Sequence, residues 1–84
     1  MPIAFVLINT ETGLEADMLR RLRNIEGVDE AHVVYGVYDV MAKVKAESIA
    51  MLNEIISLRI RKLDKVRSIL LLVVLEKSNQ TEAK

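Results

Sequence analysis

The two most apolar segments of the chain are apolar at every position rather than at alternate positions. IAFVLI covers residues 3–8, and ILLLVVL covers residues 69–75. Both segments are short and rich in branched aliphatic side chains, which is typical of strands rather than helices. Because neighbouring side chains of a strand point to opposite faces of a sheet, both segments predict strands that are covered on both faces.

Apolar side chains recur at helical spacing in two other places, which predicts helices over residues 13–26 and 47–62. Thr12 and Glu15 have the spacing of a capping box at the start of the first helix. Gly27 is expected to end that helix, because glycine readily adopts the left-handed conformation found just after helix C-termini.

A hairpin is predicted between the two helices, within residues 30–45. Val33, Val34 and Tyr35 belong to one strand and residues 40–44 to the other, around a turn that contains Gly36. With a first strand at 3–8 and a last strand at 67–76, the order of elements is β-α-β-β-α-β. This order predicts an α+β fold of the ferredoxin-like type. In that fold two helices cover one face of an antiparallel four-stranded sheet.

The predicted sheet has one face that the helices leave open, although its first and last strands are apolar on both faces. A large exposed apolar face marks an interface. We therefore expect two sheets to pack face to face across a two-fold axis, which gives an obligate homodimer of the dimeric α+β barrel type. Residues 1–77 are expected to form the single domain, and the polar residues 78–84 a flexible tail.

Composition excludes several kinds of chemistry. The chain has no cysteine, one histidine, and twelve basic and twelve acidic side chains, so its formal net charge is zero. No disulfide framework, cofactor or His/Cys metal site is predicted, and nothing favours direct contact with nucleic acid. The apolar runs are too short to span a bilayer, and no basic leader precedes the first strand. We therefore expect a cytoplasmic protein that does not contact the membrane.

The motif YGVYD, residues 35–39, interrupts the hairpin strands. Gly36 and Asp39 are turn residues, and a turn alone explains both. The only two tyrosines of the chain, Tyr35 and Tyr38, also lie here. A carboxylate, exposed backbone amides and aromatic side chains are suited to holding a zwitterion, with Asp39 facing an ammonium group. From residue chemistry alone, both interpretations stay open.

The element order and several segments together resemble the effector-binding (RAM) domain of the Lrp/AsnC transcriptional regulators. The segments are AFVLINTETG, VVYGVYDVMAKVKAES and VRSILLLVVLE, and the resemblance extends from residue 4 to about residue 77. It implies a non-enzymatic module that binds an amino acid or related metabolite where dimers meet, with assembly as far as octamers. The ligand would lie at Gly36, Val37, Tyr38 and Asp39.

The sequence also departs from the family pattern in two ways. No DNA-reading helix precedes the first strand, so the chain resembles a stand-alone domain that regulates transcription through full-length Lrp/AsnC partners. Relatives commonly carry hydroxyl residues at the positions of Ile69 and Leu71, with Ser68 the one hydroxyl here. This substitution implies an apolar wall in the ligand site, and hence an apolar amino acid or a pocket that serves assembly alone.

Alternative functions follow from the same residues. One is a purely structural assembly partner, and another is a small enzyme of the dimeric α+β barrel type. For an enzyme, Asn9, His32 and Tyr35 are the available polar side chains, and they form no recognisable constellation. The basic run between Arg59 and Arg67 is interpreted as cations near the C-terminus of the second helix, with phosphate contact as the alternative.

Overall fold

A computed structural model describes residues 1–75 of the chain. The helices and strands follow one another in the predicted order, which is β-α-β-β-α-β. They are β1 (Ile3–Thr10), α1 (Glu15–Arg23), β2 (Val28–Val33), β3 (Val40–Lys45), α2 (Ile49–Ile55), a π-helical segment that continues α2 (Ile56–Ile60), and β4 (Val66–Val74). The predicted domain end at residue 77 and the tail at 78–84 lie outside the described residues. No helix within residues 1–75 has the length and apolar character needed to cross a membrane.

The four strands form one sheet in the order β2-β3-β1-β4, and every neighbouring pair is antiparallel. This arrangement confirms the predicted ferredoxin-like α+β fold. The side chains of β1 alternate between the faces: Ala4, Val6 and Ile8 are fully buried, whereas the residues between them are half-buried. Both helices pack on the Ala4 face, where Leu22 and Leu52 belong to the same buried cluster.

The face away from the helices is apolar over β1 and β4. Direct cross-strand pairs place Phe5 opposite Leu72 and Leu7 opposite Leu70. We call this surface the open apolar face; it comprises Ile3, Phe5, Leu7, Leu70, Leu72 and Val74. Leu72 is 49% exposed in the single chain. The two-faced apolar pattern of the terminal strands therefore reflects one face under the helices and one face without cover from this chain.

The other half of the same face, over β2 and β3, carries charged side chains. Lys43 lies opposite Glu30, and its Nζ is 3.8 Å from both Glu30 Oε2 and Asp29 Oδ2. His32 Nε2 lies 3.1 Å from Glu30 Oε1. The hydrogen bond with His32, and then the charge of Lys43, lower the pKa of Glu30 from its ordinary value.

Helix α1 is shorter than predicted, and the predicted capping box is wrong. Leu14 occupies the N-cap position and makes no side-chain cap. The backbone N–H of Leu14 donates to Glu11 O at 3.0 Å, which closes a turn before the helix. The Glu15 carboxylate accepts from the backbone N–H of Gly13 at 3.1 Å, and Thr12 plays no part in the cap.

Strand β2 begins and ends earlier than predicted, since the hairpin was expected within residues 30–45 with Val33, Val34 and Tyr35 in its first strand. It spans Val28–Val33, so Val34 and Tyr35 belong to the hairpin connection instead. Gly27, just before the strand, has a φ of +102°, and a Cβ there would lie 2.6 Å from Ile55 Cδ1. Glycine is therefore required in the turn between α1 and β2, which is four residues beyond the helix end.

Candidate functional site

The connection between β2 and β3 is docked onto the end of β1. The backbone N–H of Val34 donates to Asp39 O at 2.9 Å, and the N–H of Asp39 donates to Ile8 O at 3.0 Å. Tyr35 is fully exposed, and Val37 is also exposed. The base of the hairpin is thus fixed by backbone hydrogen bonds, whereas its tip presents apolar side chains to solvent.

The carboxylate of Asp39 holds this connection in place. Its Oδ2 accepts from the backbone N–H of Thr10 at 3.0 Å. With the Asn9 amide in the orientation that satisfies all its partners, Asn9 Nδ2 donates to Asp39 Oδ2 at 3.2 Å and to Val37 O at 3.0 Å. In the same orientation Asn9 Oδ1 accepts from Ser68 Oγ at 3.2 Å. Asp39 therefore hydrogen-bonds a backbone amide of β1, and not one of the neighbouring amides that a local turn would offer.

Thr10 connects the hairpin to the beginning of β4. Within residues 1–75 it is the one buried polar residue, and it is 5% exposed. Its hydroxyl donates to Lys65 O at 2.9 Å. Lys65 has a φ of +74°, the only non-glycine residue of the described chain with a positive φ. This contact therefore holds a strained backbone, because the left-handed conformation costs a non-glycine residue about 1–2 kcal/mol.

A β-bulge follows Lys65. Asn9 lies opposite Ser68, whereas the next residue, Thr10, lies opposite Val66, so Arg67 has no partner on β1. Bulges of this kind redirect a side chain and are common beside functional sites. The Arg67 side chain is exposed and borders the same surface depression as Asp39.

This depression lies where the ends of β1, the hairpin and β4 meet, and its volume is about 460 Å³. We call it the Asp39 depression; it is lined by Asn9, Thr10, Asp39, Arg67 and Ser68. These residues carry an amide, two hydroxyls, a carboxylate and a guanidinium group, of which the Thr10 hydroxyl is already bonded to Lys65 O. The depression is open to solvent, whereas small-molecule sites usually enclose most of the ligand surface. A single chain therefore provides a polar surface for one side of a ligand and leaves the other side exposed to solvent.

A second depression also borders the hairpin. It is lined by Glu15, Val33, Val34, Tyr35, Gly36 and Asp39. Asp39 borders both depressions. The structure therefore brings Tyr35, Gly36 and Asp39 together, as the sequence predicts. The backbone carbonyl of Val37 accepts the hydrogen bond from Asn9 Nδ2, and Tyr38 is half-buried in the connection.

Ile69 and Leu71 do not lie in either depression. Ile69 is paired with Ile8 and Leu71 with Val6, so both point to the helix side of the sheet. There they pack against the buried core. Residues directly opposite on neighbouring strands share a face, so Ile69 and Leu71 lie on the face away from Asn9 and Ser68. Their place in the wall of a ligand site stays a prediction.

The depression contains two residues that sequence reasoning did not assign to a site. They are Thr10, which lies beyond the predicted end of the first strand at residue 8, and Arg67, which belongs to the run of cations. Their place in the depression depends on how distant strands pair, and a local sequence pattern does not reveal this pairing. The polar residues considered for an enzyme are not brought together: Asn9 borders the Asp39 depression, Tyr35 lies at the exposed tip, and His32 contacts Glu30. In the part of the chain that the structure describes, no group of three acidic or histidine side chains is arranged to hold a metal ion.

The chain is similar to a known protein family and to several solved structures. The family model described as Lrp/AsnC ligand binding domain matches residues 3–83. The comparison with curated proteins gave no match. Among solved structures, FFRP-DM1 is 32% identical, with a TM-score of 0.84, and the match covers 89% of this chain and 100% of that one.

Two longer proteins share the fold. AsnC of E. coli is 24% identical with a TM-score of 0.82, and the match covers 98% of this chain but 56% of AsnC. The transcriptional regulator NMB0573 of Neisseria meningitidis, solved as a complex with L-Met, is 13% identical with a TM-score of 0.77. That match covers 95% of this chain and 53% of NMB0573. The chain thus spans little more than half the length of these two regulators.

Proposed function

Because the chain belongs to the Lrp/AsnC ligand binding domain family, we propose that it senses an amino acid or a closely related metabolite. Domains of this family are regulatory parts of transcription factors rather than enzymes. The observation that carries the proposal is the Asp39 depression, which gathers opposite charges and hydroxyl groups at the hairpin. An amino acid carries an ammonium and a carboxylate group, so this lining complements its polar end.

The ammonium group is proposed to contact Asp39. The two hydrogen bonds that Asp39 receives from Thr10 and Asn9 both go to Oδ2. A carboxylate has about four acceptor positions on its two oxygens, so Asp39 has capacity for a further donor. The L-Met complex of NMB0573 supports an amino acid as the ligand class, since that regulator has the same fold.

The open shape of the Asp39 depression supports binding at a contact between copies of the chain. Tyr35 and Val37 project beside it as exposed apolar side chains. A second copy seated on the hairpin would cover these side chains and the ligand together. We propose homodimers that form through the open apolar face, and higher assemblies, up to octamers, that form through the hairpin ends.

Regulation is proposed to act through assembly. A ligand shifts an equilibrium between assembly states only when it binds one state more tightly than the other. A ligand enclosed between hairpins meets this requirement, because the separated chains offer only an open floor. Contact with DNA would come from full-length Lrp/AsnC regulators in the cytoplasm that join the assembly, and not from this chain.

Thermal unfolding with each of the common amino acids tests the proposal. A true ligand at one hundred times its Kd stabilises the folded state by about 2.7 kcal/mol, which is readily visible as a higher Tm. Calorimetry on each hit then gives Kd, and light scattering gives the assembly state. Asp39→Asn is expected to abolish the shift, whereas Asp29→Asn, on the charged half of the sheet, leaves it intact. If no amino acid raises the Tm or binds, sensing is excluded and the chain is a structural assembly partner.

A further inference from the structure

The β-bulge of β4 places a cation at the Asp39 depression. We infer that Arg67 binds the carboxylate group of the ligand, so the site selects free amino acids over their amides and over simple amines. This inference rests on the proposed function, because it assigns one group of the proposed ligand to one residue. Arg67 is thereby a specificity-determining residue rather than one of several surface cations.

The bulge explains why Arg67 reaches this place. Val66 lies opposite Thr10, which is on the helix side, and Ser68 lies opposite Asn9, which is on the open side. In a regular strand Val66 and Ser68 would share a face, and Arg67 would point to the other one. The extra residue breaks this alternation, and Arg67 lines the depression beside Ser68.

The bulge is held on both sides by hydrogen bonds. Before it, Lys65 O accepts from the Thr10 hydroxyl at 2.9 Å. After it, Ser68 Oγ donates to Asn9 Oδ1 at 3.2 Å. The left-handed backbone of Lys65 is part of this geometry, with its φ of +74°. The base of the Arg67 side chain is therefore positioned before a ligand arrives, which reduces the entropy lost on binding.

The charges of the depression complement an amino acid. No carboxylate among residues 1–75 lies within 4 Å of the Arg67 guanidinium group, and Asp39 does not pair with it. A guanidinium group matches a carboxylate with two parallel hydrogen bonds, and it is more weakly hydrated than an ammonium group. Lys65, the nearest other cation in sequence, has its Nζ 3.8 Å from Glu11 and does not line the depression.

Calorimetry with matched ligand pairs tests this assignment. The probes are the common L-amino acids and, for each, the α-amide, which keeps the ammonium group and loses the carboxylate. The wild-type chain is expected to bind its amino acid at least about tenfold more tightly than the amide, which corresponds to one charge-assisted contact. Arg67→Gln is expected to lose about tenfold in affinity for the acid and to bind acid and amide within about threefold of each other.

Two further variants make the result specific. Arg61→Gln removes another exposed cation of the same basic run, which does not line the depression, and it is expected to keep both affinity and preference. Arg67→Lys keeps the charge but loses the paired hydrogen bonds, so it should bind the acid more weakly than wild type while still preferring it to the amide. If circular dichroism shows that Arg67→Gln does not fold, Arg67→Lys is used to test the assignment in its place.

The outcomes separate this inference from the proposed function. If the wild-type chain binds an amino acid but Arg67→Gln, or in its place Arg67→Lys, leaves affinity and preference unchanged, Arg67 is not the carboxylate contact, and the sensing function stands. If the wild-type chain binds the acid and its amide equally, the inference is also wrong. If no amino acid binds to the wild-type chain, both the sensing function and the assignment of Arg67 are excluded.

Discussion

The backbone N–H of Thr10 donates a 3.0 Å hydrogen bond to Oδ2 of Asp39, although 29 positions separate the two residues in sequence. The hydroxyl of Thr10 donates to Lys65 O, 55 positions away. One residue at the end of β1 therefore joins the hairpin to the start of β4. The hairpin that carries Asp39 and the backbone just before Arg67 are consequently joined by the same residue.

Asp39→Ala is predicted to destabilise the fold as well as the proposed site. The substitution leaves the N–H of Thr10 without its acceptor in a partly buried position. The free energy of unfolding is expected to fall by about 1–3 kcal/mol, the usual cost of such a loss. Urea denaturation at one fixed protein concentration measures this change.

Asp29→Ala is the matched control for that measurement. Asp29 is partly exposed and meets Lys43 and Lys45 only at 3.8 Å. Exposed ion pairs of this kind contribute about 0–1 kcal/mol, so the control is expected to stay within that range. Equal losses in the two variants would contradict a structural role for the Asp39 carboxylate.

Hydrophobic periodicity predicted the fold because burial decides where three of the four strands lie. The positions of β1, β3 and β4 that face the core are apolar. These apolar positions located the three strands, and the order of the elements was inferred from them. Strand β2 was misplaced because it is an edge strand whose only buried residue is Ala31. Its sequence VDEAHV carries charges that edge strands tolerate and that hide the pattern.

The candidate site was predictable only where its chemistry is local. Gly36 and Asp39 were identified from turn preferences, which act over a few residues. The contribution of Arg67 depends on a bulge between strands at opposite ends of the chain, and Thr10 acts through two distant partners. The face that Ile69 and Leu71 occupy likewise depends on register, which places them on the helix side of the sheet.

Lys65→Gly is predicted to increase stability. The left-handed backbone at Lys65 costs a non-glycine residue about 1–2 kcal/mol, whereas glycine adopts it freely. Glycine also raises the entropy of the unfolded chain, which offsets about 0.4–1 kcal/mol of that gain. The expected net gain in the free energy of unfolding is about 0.5–1 kcal/mol, measured by urea denaturation.

Arg61→Gly is the control for this change. Arg61 has right-handed helical angles, with φ of −65° and ψ of −20°, so glycine relieves no strain there. The same substitution is expected to cost about 0.5–1 kcal/mol at this position. A loss of stability in Lys65→Gly would show that the contacts of the Lys65 side chain outweigh the backbone strain.

Acid is predicted to weaken the charged half of the sheet through Glu30. The hydrogen bond with His32 and the charge of Lys43 lower the pKa of Glu30 below its ordinary value of 4.5. A carboxyl group with a lower pKa in the folded state contributes stability that is complete above the unfolded-state pKa. That contribution is lost as pH falls from about 4.5 through the folded-state value.

Glu30→Gln should therefore flatten the loss of stability below pH of about 4.5. Urea midpoints from neutral pH down to about pH 3 measure this difference. Glu54→Gln, on α2 and without an ion pair among residues 1–75, is the control and should follow the wild-type curve. Identical acid curves for Glu30→Gln and wild type would exclude the contribution of Glu30.

Leu72→Glu is predicted to separate the proposed dimer. Leu72 lies opposite Phe5 at the centre of the open apolar face and is 49% exposed in the single chain. Burying a leucine side chain contributes about 1.5–3 kcal/mol, and a two-fold axis places two copies of the residue in the interface. The dissociation constant is therefore expected to rise by at least about 100-fold, because each 1.4 kcal/mol corresponds to about tenfold.

Size-exclusion chromatography with light scattering at micromolar concentration distinguishes the outcomes. Wild type is expected to elute as a dimer or larger assembly, and Leu72→Glu as a monomer with an unchanged circular dichroism spectrum. Leu58→Glu is the matched control, because Leu58 is 54% exposed but lies in the π-helical segment on the helix layer. A monomeric wild-type chain, or equal dissociation of the two variants, would show that the open apolar face is not the interface. Dissociation by Leu72→Glu alone would assign the uncovered face of β1 and β4 to a second copy of the chain.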